Sequence, residues 1–160
     1  MVTTQPGLTL SFFVRRSVIL IESNEPFIIL MVDDDPDDYY LMKEALSERG
    51  INCQLLLVSD GVELIDYLSR SGKFIKPDKA PRPKVIILDL NMPRMGGREA
   101  LKKIKAMDQI KEIPVIIFTT SKENRNIQQC YQDGADEYIV KPADFEGLLH
   151  VADSIRRYWI

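Results

Sequence analysis

Histidine is nearly missing from this chain, which has a single one, His150, among its 160 residues. That excludes a histidine-rich zinc site and leaves a Ser-His-Asp device poorly supplied. Cysteine is also scarce: Cys53 and Cys130 show no paired metal-ligand spacing, so reduced thiols in a cytosolic protein are expected. No apolar run is long enough to span a bilayer. "LTLSFFV" and "SVILI" near the N-terminus are separated by Arg15 and Arg16, and both fall short of the roughly 20 residues required. The first has the length of a signal-peptide core but no basic residue before it. A strong charge of one sign is lacking too. With 21 basic and 24 acidic residues the net charge is −3, which gives no case for nucleic acid or a membrane as the main partner.

What is present is an ordinary globular composition, 45% hydrophobic and 28% charged, in a chain long enough to bury one core. Residues 1–26 read as an N-terminal extension of unassigned role. An accessory tail or a misplaced start explains it more simply than docking or dimerisation does. From Phe27 the pattern becomes regular. Continuous apolar runs at 27–32, 53–58, 84–89, 114–119 and 137–140 alternate with segments of helical period. Unbroken apolar runs suit strands covered on both faces, and five strand–helix repeats predict a doubly wound α/β fold with a parallel sheet. The proline-rich stretch "KFIKPDKAPRP" (73–83) reads as an exposed loop.

Ligands of such sheets lie outside the carboxyl ends of the strands. The residues found there are Asp33 and Asp34, Ser59 and Asp60, Asp89, Thr119 and Thr120, and Lys141. The acid-rich opening "DDDPDD" can be divided. Asp35 precedes Pro36, a favoured first helical residue, so Asp35 is the expected N-cap, with Asp37 and Asp38 in the first turn where the helix dipole favours them. Asp33 and Asp34 have no such role. Together with Asp89 they form a costly carboxylate cluster that a cation would neutralise, and oxygen-only ligands suit Mg²⁺. A calcium loop is disfavoured because Asp38 stands where its tight turn needs glycine. A small metal-dependent phosphatase with an Asp-x-Asp pair is disfavoured by the residues that follow the pair and by the short chain.

Taken in order, "VDDD", "IILDLNMPRMGG", "PVIIFTTS" and "DEYIVKPAD" resemble the receiver domain of bacterial two-component response regulators, over about Phe27 to Trp159. The "DDDPDD" opening, the long loop before the third strand and "TTS" resemble the stand-alone receivers that partner bacteriophytochrome-like sensor kinases. The resemblance implies a flavodoxin-like (β/α)5 domain over 27–160, with strand order 2-1-3-4-5. It implies that Asp89 is the phosphoacceptor and that Asp34 binds Mg²⁺ directly, with Asp33 acting through water and Asn91 through its backbone carbonyl. Thr119 and Lys141 would bind the phosphoryl group, Thr119 and Tyr138 would form the switch, and Pro142 would follow a cis peptide.

Ordinary roles compete at each position: a strand-end cap for Asp89, a helix cap for Thr119, an exposed amine for Lys141 and strand packing for Tyr138. The carboxylate nucleophile, the cationic lysine and the neutral hydroxyl nevertheless suit phosphoryl transfer on chemical grounds. The expectation is a cytoplasmic single-domain response regulator phosphorylated on Asp89 by a sensor histidine kinase or phosphotransfer protein. It would catalyse only its own phosphorylation and dephosphorylation. Its output would run through an unknown protein, or through a homodimer formed by the fourth helix, fifth strand and fifth helix. The alternatives are a phosphate sink or shuttle without output and the small phosphatase. His150 is expected on the surface and is not the phosphodonor. Trp159, Tyr158 and Ile160 form an aromatic-apolar end that either joins an interface or packs back on the last helix.

Overall fold

The computed structural model describes residues 26–159. The expected extension upstream of Pro26, and Ile160, lie outside the described residues. Five strands, β1 (Phe27–Val32), β2 (Cys53–Val58), β3 (Val85–Leu88), β4 (Val115–Thr119) and β5 (Glu137–Val140), alternate with five α-helices. The helices are α1 (Pro36–Glu48), α2 (Gly61–Ser69), α3 (Gly97–Lys105), α4 (Asn124–Gln132) and α5 (Phe145–Arg156). All strand pairs are parallel, in the order β2-β1-β3-β4-β5.

Alternate residues of each strand feed the two faces, because successive side chains on a strand point to opposite sides. Ile29, Met31 and Ile87 pack with Met42 and Leu46 of α1 and with Leu149 and Ile155 of α5. Leu30, Val32 and Leu88 pack on the other face with Leu64 of α2, Leu101 and Ile104 of α3 and Cys130 of α4. Every residue of β1, β3 and β4 is buried, which accounts for their unbroken apolar sequences.

The stretch expected to be an exposed loop at 73–83 is more anchored than that. It forms 3-10 turns at Gly72–Phe74 and Pro77–Lys79, buries Ala80, sets Phe74 edge-on to Tyr67, and takes a hydrogen bond from the Tyr67 hydroxyl at the Pro81 carbonyl (2.7 Å). Tyr67 lies on the buried side of α2, so its phenol needs a partner and the loop supplies one. At the chain end, Trp159 lies 6.5 Å ring to ring from Phe27, and the Tyr158 hydroxyl donates to Glu137 (3.2 Å). The aromatic end therefore packs back on the domain, with Trp159 partly exposed.

Candidate functional site

β1 and β3 are neighbours at the centre of the sheet, and each is followed at once by aspartate. The backbone is held here by continued strand-type hydrogen bonds. The Asp33 amide donates to Val58, the Asp89 amide to Val32, and the Lys141 amide to Thr119, at 3.1, 3.0 and 2.8 Å. One carboxylate oxygen each from Asp33, Asp34 and Asp89 lies within 4.8 Å of the other two. Asp33 and Asp89 are buried, while Asp34 is exposed. An all-oxygen set that is rigid on two sides and open to solvent on the third fits Mg²⁺, which keeps several waters.

The compensating cation is Lys141. Its Nζ lies over the Phe118 ring, 5.6 Å from the ring centroid. Nζ donates to Asp38 Oδ2 at 2.6 Å, Asp33 Oδ2 at 2.8 Å and Asp89 Oδ2 at 3.3 Å. Burial acts to lower the Lys141 pKa, but the bonds to Asp33 and Asp38 outweigh it and hold the amine above its ordinary value, so it stays an ammonium. Burial raises the Asp33 carboxyl above the usual range, despite the opposing bonds from Lys141 and from the Asp35 amide.

The division of the acidic opening holds at Asp35 and fails at Asp38. Asp35 caps α1, accepting from the Asp37 amide at 2.9 Å, with Pro36 as the first helical residue. Asp38 does lie in the first turn, yet its carboxylate also makes the shortest contact to Lys141. Dipole complementarity was therefore an incomplete account of it.

Thr119 is fully buried, and its Oγ1 has no hydrogen-bond partner among the described residues. A buried hydroxyl without a partner is costly, which sets Thr119 apart from the other buried polar groups of this sheet edge. Asn91 is exposed, and its amide donates weakly to Asp89 Oδ1 at 3.4 Å. The Tyr138 hydroxyl donates to the Ser121 carbonyl at 3.0 Å, a tie that plain strand packing does not require. His150 is exposed.

One expectation needs correction. No cis peptide occurs among the described residues, so Pro142 follows a trans bond. The trans form is the intrinsic preference, and Lys141 reaches the site by extending β5 beside Thr119. In the "NMPRMGG" loop the positive φ falls on Arg94 (62°) and not on a glycine. Gly97 is required by space, because a Cβ there would overlap the Asp89 carbonyl. Asp60, which also ends a strand, stands apart from the acidic pocket: it caps α2 through the Glu63 amide (2.9 Å) and pairs with the Arg94 guanidinium (2.7 Å).

Residues 29–153 match the family model described as the response regulator receiver domain. This chain belongs to that family. The receiver is 33% identical over 139 residues to the response regulator Rcp1 of Synechocystis sp., covering 87% of this chain and 92% of Rcp1. Among solved structures, the phosphorylated cyanobacterial phytochrome response regulator RcpA superposes with a TM-score of 0.76 at 33% identity, covering 84% of this receiver and 94% of RcpA. The Mn²⁺-bound form of Rcp1 gives 0.74 at 32%, covering 84% of this receiver and 94% of Rcp1. The receiver fold and its strand order are therefore as the sequence motifs implied. No described helix is long and apolar enough to cross a membrane.

Proposed function

We propose that this receiver is a cytoplasmic signalling switch phosphorylated on Asp89 by a histidine kinase or phosphotransfer protein. Given its likeness to RcpA, we assign the kinase to the phytochrome type. The observation that carries the reading is the Thr119 hydroxyl, buried at the same sheet edge as Asp89 and Lys141 and without a partner among the described residues, where it is free to donate to an arriving phosphoryl oxygen. In the transfer an Asp89 carboxylate oxygen attacks phosphorus. The new O–P bond forms as the P–N bond to the donor imidazole breaks, and the electron pair leaves with that nitrogen. A carboxylate nucleophile needs no general base for this attack.

Lys141 takes one phosphoryl oxygen and the Thr119 hydroxyl donates to another, neutralising charge where it develops. Asp34, Asp89, the Asn91 carbonyl and, through water, Asp33 would hold Mg²⁺, which would supply further neutralisation of charge there. Drawing Thr119 toward the phosphoryl group shifts the segment after β4. The Ser121 carbonyl, which holds the Tyr138 hydroxyl at 3.0 Å, moves with it and lets Tyr138 rotate. The surface of α4, β5 and α5 is thereby remodelled for an output protein or for a second copy of the chain, a population shift driven by local charge.

Incubation with phosphoramidate and Mg²⁺, followed by intact mass, tests the assignment. One phosphoryl group is expected on the parent, none on Asp89→Ala, and none after chelation. Equal labelling of the variant would refute Asp89 as the acceptor.

A further inference from the structure

The Lys141 ammonium is shared among three carboxylates, and the shortest of its contacts is to a residue outside the three-aspartate cluster. An ammonium has three protons, and here Asp38, Asp33 and Asp89 accept all of them, at 2.6, 2.8 and 3.3 Å. The longest contact points to the atom group where the phosphoryl arrives. The two tighter contacts, to Asp38 and Asp33, compete with an arriving phosphoryl group for the Nζ charge.

The two are not equivalent. The Asp33 side chain is 1% exposed, so water cannot replace its cation. The Asp38 side chain is 28% exposed, on the solvent side of the first turn of α1, and water can take up its charge when the lysine departs. Asp37, the neighbouring acid in that turn, has the same formal charge and is also near the helix N-terminus, but it is not among the partners of Lys141.

Resting on the phosphoacceptor reading above, we propose that Asp38 is a positioning residue that draws the Lys141 ammonium toward itself, leaving its contact to Asp89 the longest of the three at 3.3 Å, and so sets how readily Asp89 accepts a phosphoryl group. Asp38 then competes with the phosphoryl group for the ammonium, and its charge is a brake on phosphorylation. The brake also keeps the ammonium within the pocket, since a lysine without Asp38 would be held by Asp33 and Asp89 alone.

The test compares the parent with Asp38→Asn, Asp38→Glu and Asp37→Asn. Phosphorylation by phosphoramidate in Mg²⁺ is followed by intact mass, beryllofluoride affinity by ¹⁹F resonance, and the Nζ position by crystallography of the parent and Asp38→Asn. Asp38→Asn is expected to be phosphorylated about five-fold faster and to bind beryllofluoride about five-fold tighter, as loss of one charge-assisted contact implies. Nζ should shift from 3.3 Å toward a normal hydrogen-bond distance from Asp89. Asp38→Glu, which restores the charge, and Asp37→Asn, which removes a neighbouring one, should stay within about two-fold of the parent. A parent that takes up no phosphoryl group overturns both this inference and the function it rests on. A phosphorylated parent whose Asp38→Asn variant behaves like Asp37→Asn, or whose Nζ does not move, overturns the inference alone.

Discussion

Asp60 and Asp33 are both aspartates at the carboxyl edge of one sheet, both nearly inaccessible at 3% and 2% exposure, and their situations are opposite. Asp60 is fully served by the Glu63 amide and the Arg94 guanidinium. Burial pushes its carboxyl upward, but these partners outweigh burial and hold it below the ordinary range. Asp33 has Lys141 and the Asp35 amide, yet it shares that lysine with Asp38 and Asp89, and burial leaves its carboxyl raised. One end of the sheet edge is a finished structural joint. The other is an unfinished electrostatic one, with more carboxylates than cations and an idle hydroxyl nearby. The proposed function uses the end where the partners have not been balanced, and the balanced end ties Arg94, in the loop after Asp89, to Asp60.

The sharpest way to break this contrast is to remove the shared cation. Lys141→Met keeps an apolar stem but leaves buried Asp33 without its ammonium, and about 3 kcal/mol of stability should be lost in chelator. Urea midpoints of parent and variant check this, and an unchanged midpoint would mean that the pocket carries its charge without help. Next in size is Asp60→Ala, which strips both the α2 cap and the acceptor for Arg94 and should cost about 2 kcal/mol at neutral pH. Because the folded Asp60 pKa is depressed, its charge-dependent contribution is in force above the ordinary aspartate value and disappears as pH falls through the folded value. Parent and variant should therefore converge in acid, and a gap that widens there would reverse the assigned sign.

The smallest effect should have the opposite direction. Asp34→Asn removes one like charge from the crowded end and should stabilise the chelated protein by about 1 kcal/mol. Titration with Mg²⁺, followed by thermal unfolding, should then raise the melting point of the parent and barely move that of the variant. A variant less stable than the parent in chelator would show that the carboxylates are not in mutual repulsion.

Much of this was legible in residue order. β1, β3 and β4 were readable as apolar runs because burial on both faces demands it, and Asp33, Asp34, Asp89 and Thr119 were readable because each stands where such a run ends. Asp35 was recognisable as a cap because Pro36 follows it. Asp38 was not legible as a ligand of Lys141, because the two are 103 residues apart and a first-turn acid needs no further reason to exist. Arg94 was likewise invisible as the partner of Asp60, 34 residues away.

The sequence by itself determined the order of strands and helices, the burial of the sheet and the set of charged residues at its edge, since these follow from local period and from where apolar runs stop. Only the tertiary structure decided how that charge is divided. It brings Lys141 to Asp38 as well as to Asp33 and Asp89, assigns Asp60 to Arg94, presses Gly97 against the Asp89 carbonyl and leaves the Thr119 hydroxyl without a partner. The physical reason is that a charge takes its energy from whatever lies within a few ångströms of it, and those neighbours come from strands and loops that only folding brings together.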